Sequence, residues 1–152
     1  MTKLDLKFRT DKFRLTGQLP PGCNAGNPMY GEDMAKWIVQ ELPGWELDYL
    51  EEDWGWAVLS GECPDIDDPR RLVCHEICVY AYPDDAEHAL GSNLGDWMLS
   101  ISKREKREVR VFGLFKSKKW IDTEYDSKLA EELVLALSKF GITVTNTSND
   151  KK

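Results

Sequence analysis

The sequence is poor in the residues and motifs on which most enzymes depend. It contains only two histidines, His75 and His88, among 152 residues. It has no glycine-rich phosphate loop, no G-x-S-x-G nucleophile motif and no H-E-x-x-H motif. These absences favour a protein that acts by binding over one that acts by catalysis.

Long apolar segments are also missing. No run of 18 apolar residues occurs, and the N-terminal stretch MTKLDLK is interrupted by charges instead of leading into an apolar segment. A membrane-spanning helix needs such a run, and a secretory signal needs an apolar core. We therefore expect a cytoplasmic protein that makes no membrane contact.

Basic residues are fewer than acidic ones, 20 against 27, which gives a formal net charge of -7. Binding to phosphate backbones needs clustered Lys and Arg, so nucleic acid is an unfavoured partner and a basic protein a favoured one. The distribution is uneven, however. Residues 103–119 hold eight basic residues against two acidic ones. This segment leaves open an alternative function in binding phosphate or nucleic acid.

The four cysteines, Cys23, Cys63, Cys74 and Cys78, lack the regular spacing of a disulfide framework, and we expect free thiols. On a strand Cys74 and Cys78 would share a face but lie about 13 Å apart. One zinc ion, with bonds near ~2.3 Å, cannot join them. The sequence thus predicts no metal and no cofactor.

The pattern of apolar residues predicts an α+β fold with an antiparallel sheet of about five to seven strands and two helices packed on one face. The expected strands are 4–9, 45–50, 54–60, 71–82, 96–102, 108–115 and 142–146. The expected helices run over 29–42 and from a Thr123 capping box to a cap at Gly141. We expect a single domain over 1–147 and a flexible tail at 148–152, with a surface loop over 16–28.

Two polar segments are predicted to lie between strands. The sequence KREKR at 103–107 reads as a charged turn, and Asp65, Asp67 and Asp68 as part of a solvated loop. An alternative interpretation places a small active site near Cys74, His75 and Asp65, although His75 is expected to be a structural residue. These three residues carry the enzyme hypothesis.

The sequence EEDWGW at 51–56 is predicted to form the corner of a hairpin. Carboxylates recur before it without an intervening Lys or Arg, and two tryptophans follow at a spacing that places them on one strand face. Gly55 between them leaves room for a neighbouring backbone. Acidic and aromatic residues together are typical of protein-binding surfaces. The residues expected to bind a partner are Asp48, Glu51, Glu52, Asp53 and Trp54.

The segments YGEDMAKWIVQEL and EEDWGW resemble a little-characterised group of small bacterial α+β proteins over about residues 27–146. That group has a Tyr-Gly helix start, an acidic Trp-Gly-Trp hairpin, a basic segment after a late strand, and a closing helix and strand. In size and acidity the chain is also similar to immunity proteins that neutralise toxins exchanged between bacteria. The resemblance implies a non-catalytic inhibitor that binds a cognate toxin in the cytoplasm.

Overall fold

The computed structural model describes residues 3–17, 29–113 and 115–149. The elements are β1 (Leu4–Thr10), α1 (Glu32–Glu41), a 3-10 turn (Pro43–Trp45), β2 (Leu47–Glu52), β3 (Gly55–Ser60), β4 (Cys63–Pro64), β5 (Leu72–Pro83), α2 (Asp85–Ala89), β6 (Gly95–Val111), β7 (Phe115–Thr123), α3 (Ser127–Lys139) and β8 (Asn146–Asn149). Most of the predicted loop over 16–28, and Cys23 within it, lies outside the described residues.

The strands form one antiparallel sheet in the order β2-β3-β5-β6-β1-β8. The two-residue strand β4 pairs with β5, and β7 pairs with β6. The predicted α+β architecture is therefore confirmed, and β5 is the central strand that its long apolar run indicated.

The core lies between one face of the sheet and the helices α1 and α3. Strict alternation in β1 buries Leu4, Leu6 and Phe8 on this face. The apolar stripes of the helices supply the opposite wall. The buried helical residues are Met34, Ala35 and Ile38 of α1, and Leu129, Ala130, Leu133 and Leu137 of α3.

The predicted turn at 103–107 is wrong, because β6 continues through it as one strand of 17 residues. Lys103 and Glu105 face the interior and are held by ion pairs, to Asp65 and to Arg71 and Arg107 respectively. The chain reverses only after Val111, and β7 returns along β6. Charged residues thus occupy strand positions because tertiary partners neutralise them.

Several element ends differ from the sequence pattern. The N-cap of α3 is Asp126, whose Oδ1 accepts a hydrogen bond of 2.9 Å from the Lys128 amide, and not Thr123. The last strand is β8, at 146–149 in place of 142–146, so residues 148 and 149 of the expected tail pair with β1. Residues 150–152 lie outside the described ranges. The short helix α2, which the sequence pattern did not indicate, begins at an Asp84 cap.

Within the described ranges, no helix is both long enough and apolar enough to cross a bilayer.

Candidate functional site

Residues 46–54, here called the acidic hairpin, lie along one edge of the sheet. Among the described strands, β2 pairs only with β3, in a register that sets Glu51 opposite Trp56. Asp53 and Trp54 form the two-residue turn. Glu51 and Glu52 lie at the end of β2, so two of the three carboxylates expected at the corner are strand residues.

Three carboxylates of the acidic hairpin, those of Asp48, Glu51 and Asp53, lack a described basic partner. Asp48 is exposed, and its Oδ1 accepts a hydrogen bond of 2.8 Å from the Tyr49 amide. Glu51 has a buried Oε1 that finds no hydrogen-bond donor in the described residues. No ion pair joins Asp48, Glu51 or Asp53 to a basic side chain in the part of the chain that the structure describes. Their negative field is therefore available to a partner.

The two tryptophans do not share a face, contrary to the prediction. Trp56 is buried against the helices, and its Nε1 donates a hydrogen bond of 3.3 Å to the Met29 carbonyl. Trp54 lies in the turn, not in the strand, and its ring packs 5.1 Å from that of Tyr80 on the opposite face of the sheet. With 39% of its surface exposed, Trp54 can contact a partner.

A cluster of buried polar residues lies at the other end of β3, beneath the β4–β5 connection. Asp65 is buried with its carboxylate 3.5 Å from the Lys103 ammonium, and is therefore not a solvated loop residue as predicted. His75 on β5 pairs in register with Lys103. Asp126 is also buried, and one of its carboxylate oxygens lacks a partner among the described residues. The sequence pattern did not indicate Lys103 or Asp126.

A cleft of about 480 Å³ opens beside this cluster, and His75 is one of its lining residues. Apolar walls come mainly from Ile66 and Leu135, while the indole of Trp45 packs edge-on to the imidazole at 5.1 Å. The Trp45 Nε1 donates a hydrogen bond to Glu132. Desolvation lowers the pKa of His75 more than Asp126 raises it, so the ring is neutral near pH 7.

These groups do not assemble the chemistry of a nucleophilic enzyme. Cys74 and His75 are consecutive strand residues and point to opposite faces. Burial raises the pKa of the Cys74 thiol and raises that of Cys78 to about 12, so neither is an activated thiolate. The imidazole of His75 makes no hydrogen bond to any described side chain, whereas a catalytic base is oriented by one.

The expected free thiols are present at Cys63, Cys74 and Cys78. No group of three or more His, Cys, Asp or Glu side chains within residues 3–17, 29–113 and 115–149 has a geometry that could hold a metal ion. Cys74 is close to the Ser60 carbonyl, and Cys78 to a carboxylate oxygen of Glu76. The thiols thus belong to the packing of β5.

Within the basic segment 103–119, residues 103–105 belong to the sheet, whereas the residues after them project from it. Beyond Glu105, where the pairing with β5 ends, β6 pairs only with β7 among the described strands. Residues 106–113 and 115–120 therefore form a two-stranded ribbon with part of its turn, here called the basic arm. A sequence signal for it exists: Leu99, Ile101, Val109 and Val111 keep the same alternation across the charged residues between them.

Comparison of the chain with protein-family models, with curated proteins and with solved structures found no match.

Proposed function

We propose that the protein is a non-catalytic binding protein that inhibits a basic protein partner through the acidic hairpin. The observation that carries the proposal is the set of carboxylates at Asp48, Glu51 and Asp53, which no described basic residue neutralises. Asp48 and Glu51 lie on opposite faces of the edge strand β2, and Asp53 lies in the turn; beside them are the exposed side chains of Leu50 and Trp54, whose exposures are 40% and 39%. An acidic rim around apolar anchors is a composition suited to protein recognition.

Each part of this surface has a physical role in the proposed complex. Uncompensated carboxylates attract a basic partner over several ångströms and raise its association rate. Trp54 and Leu50 supply apolar area that is buried only when the partner binds. The buried Oε1 of Glu51 is not accessible to a partner, so Glu51 contributes to the attraction through its charge.

The partner class that we propose is a bacterial toxin with a basic active-site cleft, and the protein is then its immunity protein in the cytoplasm. The likeness in size and acidity to immunity proteins supports this choice, as does the absence of an activated nucleophile among the described cysteines. A toxin reading frame immediately upstream of the gene is expected. A metabolic operon at that position would contradict the proposal.

The direct test measures association with the product of that upstream reading frame. The variant Asp48→Asn/Glu51→Gln/Asp53→Asn keeps side-chain size and removes three charges. We expect association to slow about fivefold or more in low salt, and its dependence on salt to weaken. Denaturant unfolding should change little, because Asp48 and Asp53 are exposed and the half-buried Glu51 has no described ion pair to lose.

The matched control is Asp11→Asn/Glu124→Gln/Glu131→Gln, which removes three exposed charges elsewhere on the surface. Charged residues on an edge strand also prevent edge-to-edge aggregation, so both variants are first checked for monodispersity. Equal association rates for the wild type and the hairpin variant would place the interface elsewhere. Equal slowing by both triple variants would show an effect of net charge alone.

A further inference from the structure

The basic arm extends beyond the sheet without support from a third strand. Its strands, residues 106–111 and 115–120, pair only with each other in the described part of the chain. At ~3.3 Å per residue, the arm projects about 20 Å from the last residue paired with β5. The ribbon buries little of its surface and therefore adds little to the core. Its side chains are available to bind a partner.

The arm concentrates positive charge. It carries a single acidic residue, Glu108, against six basic ones, which are Lys106, Arg107, Arg110, Lys116, Lys118 and Lys119. Three of them are engaged in ion pairs, namely Lys106, Arg107 and Lys116. Arg110, Lys118 and Lys119 are exposed and form no ion pair within the described ranges.

Aromatic rings are interleaved with these charges. Phe112 at the tip is 92% exposed, Phe115 is 68% exposed and Trp120 at the base is 42% exposed. The register places Trp120 opposite Lys106, whose ammonium lies 5.7 Å from the centre of the indole. Strand alternation puts Arg110, Lys116 and Lys118 on the same face as Trp120. One face of the arm therefore carries cations and Trp120 around the single carboxylate of Glu108, while Phe115 and Lys119 lie on the other face.

The acidic hairpin is separated from the arm, and the carboxylates close to the arm, such as Glu62 and Glu108, are already paired with its lysines. The turn of the acidic hairpin packs against Tyr80, which pairs with Met98 near the start of β6, whereas the arm is the end of the same strand. In the paired register Asp48 is level with Ser102, about 20 Å from the base of the arm, whereas the hairpin turn is about 40 Å from the tip of the arm. Charges are screened over about 8 Å at physiological ionic strength. The net charge of -7 thus does not describe the field at the arm.

We propose that the basic arm binds single-stranded nucleic acid, with phosphates held by its free cations and bases stacked on its exposed rings. Four of the six basic residues are lysines, which protein–protein interfaces disfavour and phosphate sites accept. Rings at both the tip and the base suit a strand that runs along the ribbon, whereas a bilayer touching the tip would not reach Trp120. Unpaired bases supply the exposed faces on which such rings stack. This inference goes beyond the proposed function.

The test is fluorescence anisotropy with a labelled single-stranded oligonucleotide of mixed sequence, titrated over a range of salt concentrations. We expect a micromolar or tighter dissociation constant at 0.1 M salt. In the variant Arg110→Gln/Lys118→Gln/Lys119→Gln the affinity should fall about a hundredfold at that salt, and the salt slope should decrease by about 2. In Phe112→Ala/Phe115→Ala it should fall about tenfold or more at an unchanged slope.

The matched control, Lys7→Gln/Lys128→Gln/Lys139→Gln, removes three exposed cations outside the arm and should retain most of the affinity. Unfolding curves establish that all variants fold. The inference is overturned if the oligonucleotide does not bind, if the control loses as much as the arm variant, or if the arm binds only anionic vesicles or an acidic protein. A duplex of the same sequence that binds better than the single strand would contradict the stacking role.

The two proposals fail separately, because the tested carboxylates and the arm lie on different strands, about 20 Å or more apart. The variant Asp48→Asn/Glu51→Gln/Asp53→Asn should leave oligonucleotide affinity within about twofold, since these carboxylates lie about two screening lengths or more from the arm. The arm variant should likewise leave the association rate with the protein partner within about twofold. If either variant abolished both interactions, the two surfaces would not be independent, which would contradict this expectation.

Discussion

The ammonium of Lys103 lies 3.5 Å from the carboxylate of Asp65, and both side chains are buried. Lys103 comes from the middle of β6, while Asp65 follows the short strand β4. The loop around Asp65 is closed by a hydrogen bond of 3.0 Å from its own amide to the Arg71 carbonyl. The ion pair therefore fixes the β4–β5 connection onto the sheet, and each of its two buried charges compensates the other.

Removing one partner of this pair should be costly. We expect Lys103→Met to lower the free energy of unfolding by about 3–5 kcal/mol, because Asp65 is then a buried charge without a counter-ion. The double variant Asp65→Leu/Lys103→Met should recover much of that loss. Urea unfolding at pH 7 measures both. Lys106→Met, which breaks the exposed pair with Glu62, is the control and should cost about 1 kcal/mol or less.

His75 should make stability depend on pH. Burial lowers its pKa below the ordinary value of 6.5, with Lys103 acting in the same direction and Asp126 and Asp65 opposing. The unfolded chain therefore takes up this proton at a higher pH than the folded chain. The contribution is fully favourable above about pH 6.5 and is lost as the pH falls towards the folded pKa. Its slope is at most about 1.4 kcal/mol per pH unit.

Two variants isolate this effect. Urea unfolding of His75→Gln between pH 5.5 and 7.5 should show a smaller slope than the wild type, because residue 75 no longer titrates. His88→Gln replaces the other histidine, whose Nδ1 lies 3.0 Å from the Leu15 carbonyl oxygen, and should keep the contribution of His75. Identical slopes for the wild type and His75→Gln would show that His75 is not held neutral by burial.

The elements that the sequence predicts correctly are those in which a local period coincides with burial. Leu4, Leu6 and Phe8 alternate in sequence and in the structure, and the stripe on α1 buries Met34 and Ile38 as its spacing indicates. The same rule explains why the turn predicted at residues 103–107 is wrong, since five consecutive polar residues carry no apolar period. Their strand depends on partners that are distant in the sequence, such as Asp65 for Lys103.

The candidate sites also differ in how far the sequence could predict them. The acidic hairpin is a contiguous segment, so its carboxylates and Trp54 could be named from the sequence. In the buried cluster, Asp65 and His75 could be grouped from the sequence, but Lys103 of β6 and Asp126 at the cap of α3 could not, because they are distant in the chain. The projection of the basic arm was hidden for another reason. The projection depends on the register of β5 and β6, in which the first paired residue of β5, Val73, lies opposite Glu105 and β6 continues beyond it.

Gly55 is predicted to be intolerant of a side chain, and the structure confirms the close backbone approach expected from the sequence. A Cβ atom at this position would lie 2.6 Å from the Val79 carbonyl oxygen. Gly55→Ala should therefore displace β3 from β5 and lower the free energy of unfolding by about 1–3 kcal/mol. Gly61→Ala is the control, since nothing lies within 4 Å of the added atom. Similar urea midpoints for both variants would show that the strands adjust without cost.

The two tryptophans of the EEDWGW segment should separate stability from binding. Trp56 is buried between Tyr49 and the segment before α1, so Trp56→Ala should cost about 3–5 kcal/mol. Trp54 contacts Tyr80 from the turn, and Trp54→Ala should cost only about 1 kcal/mol. Urea unfolding monitored by circular dichroism measures both losses. Because Trp54→Ala is expected to fold, any loss of partner affinity in it reports on the interface, whereas an equal loss of stability in the two variants would place Trp54 in the core.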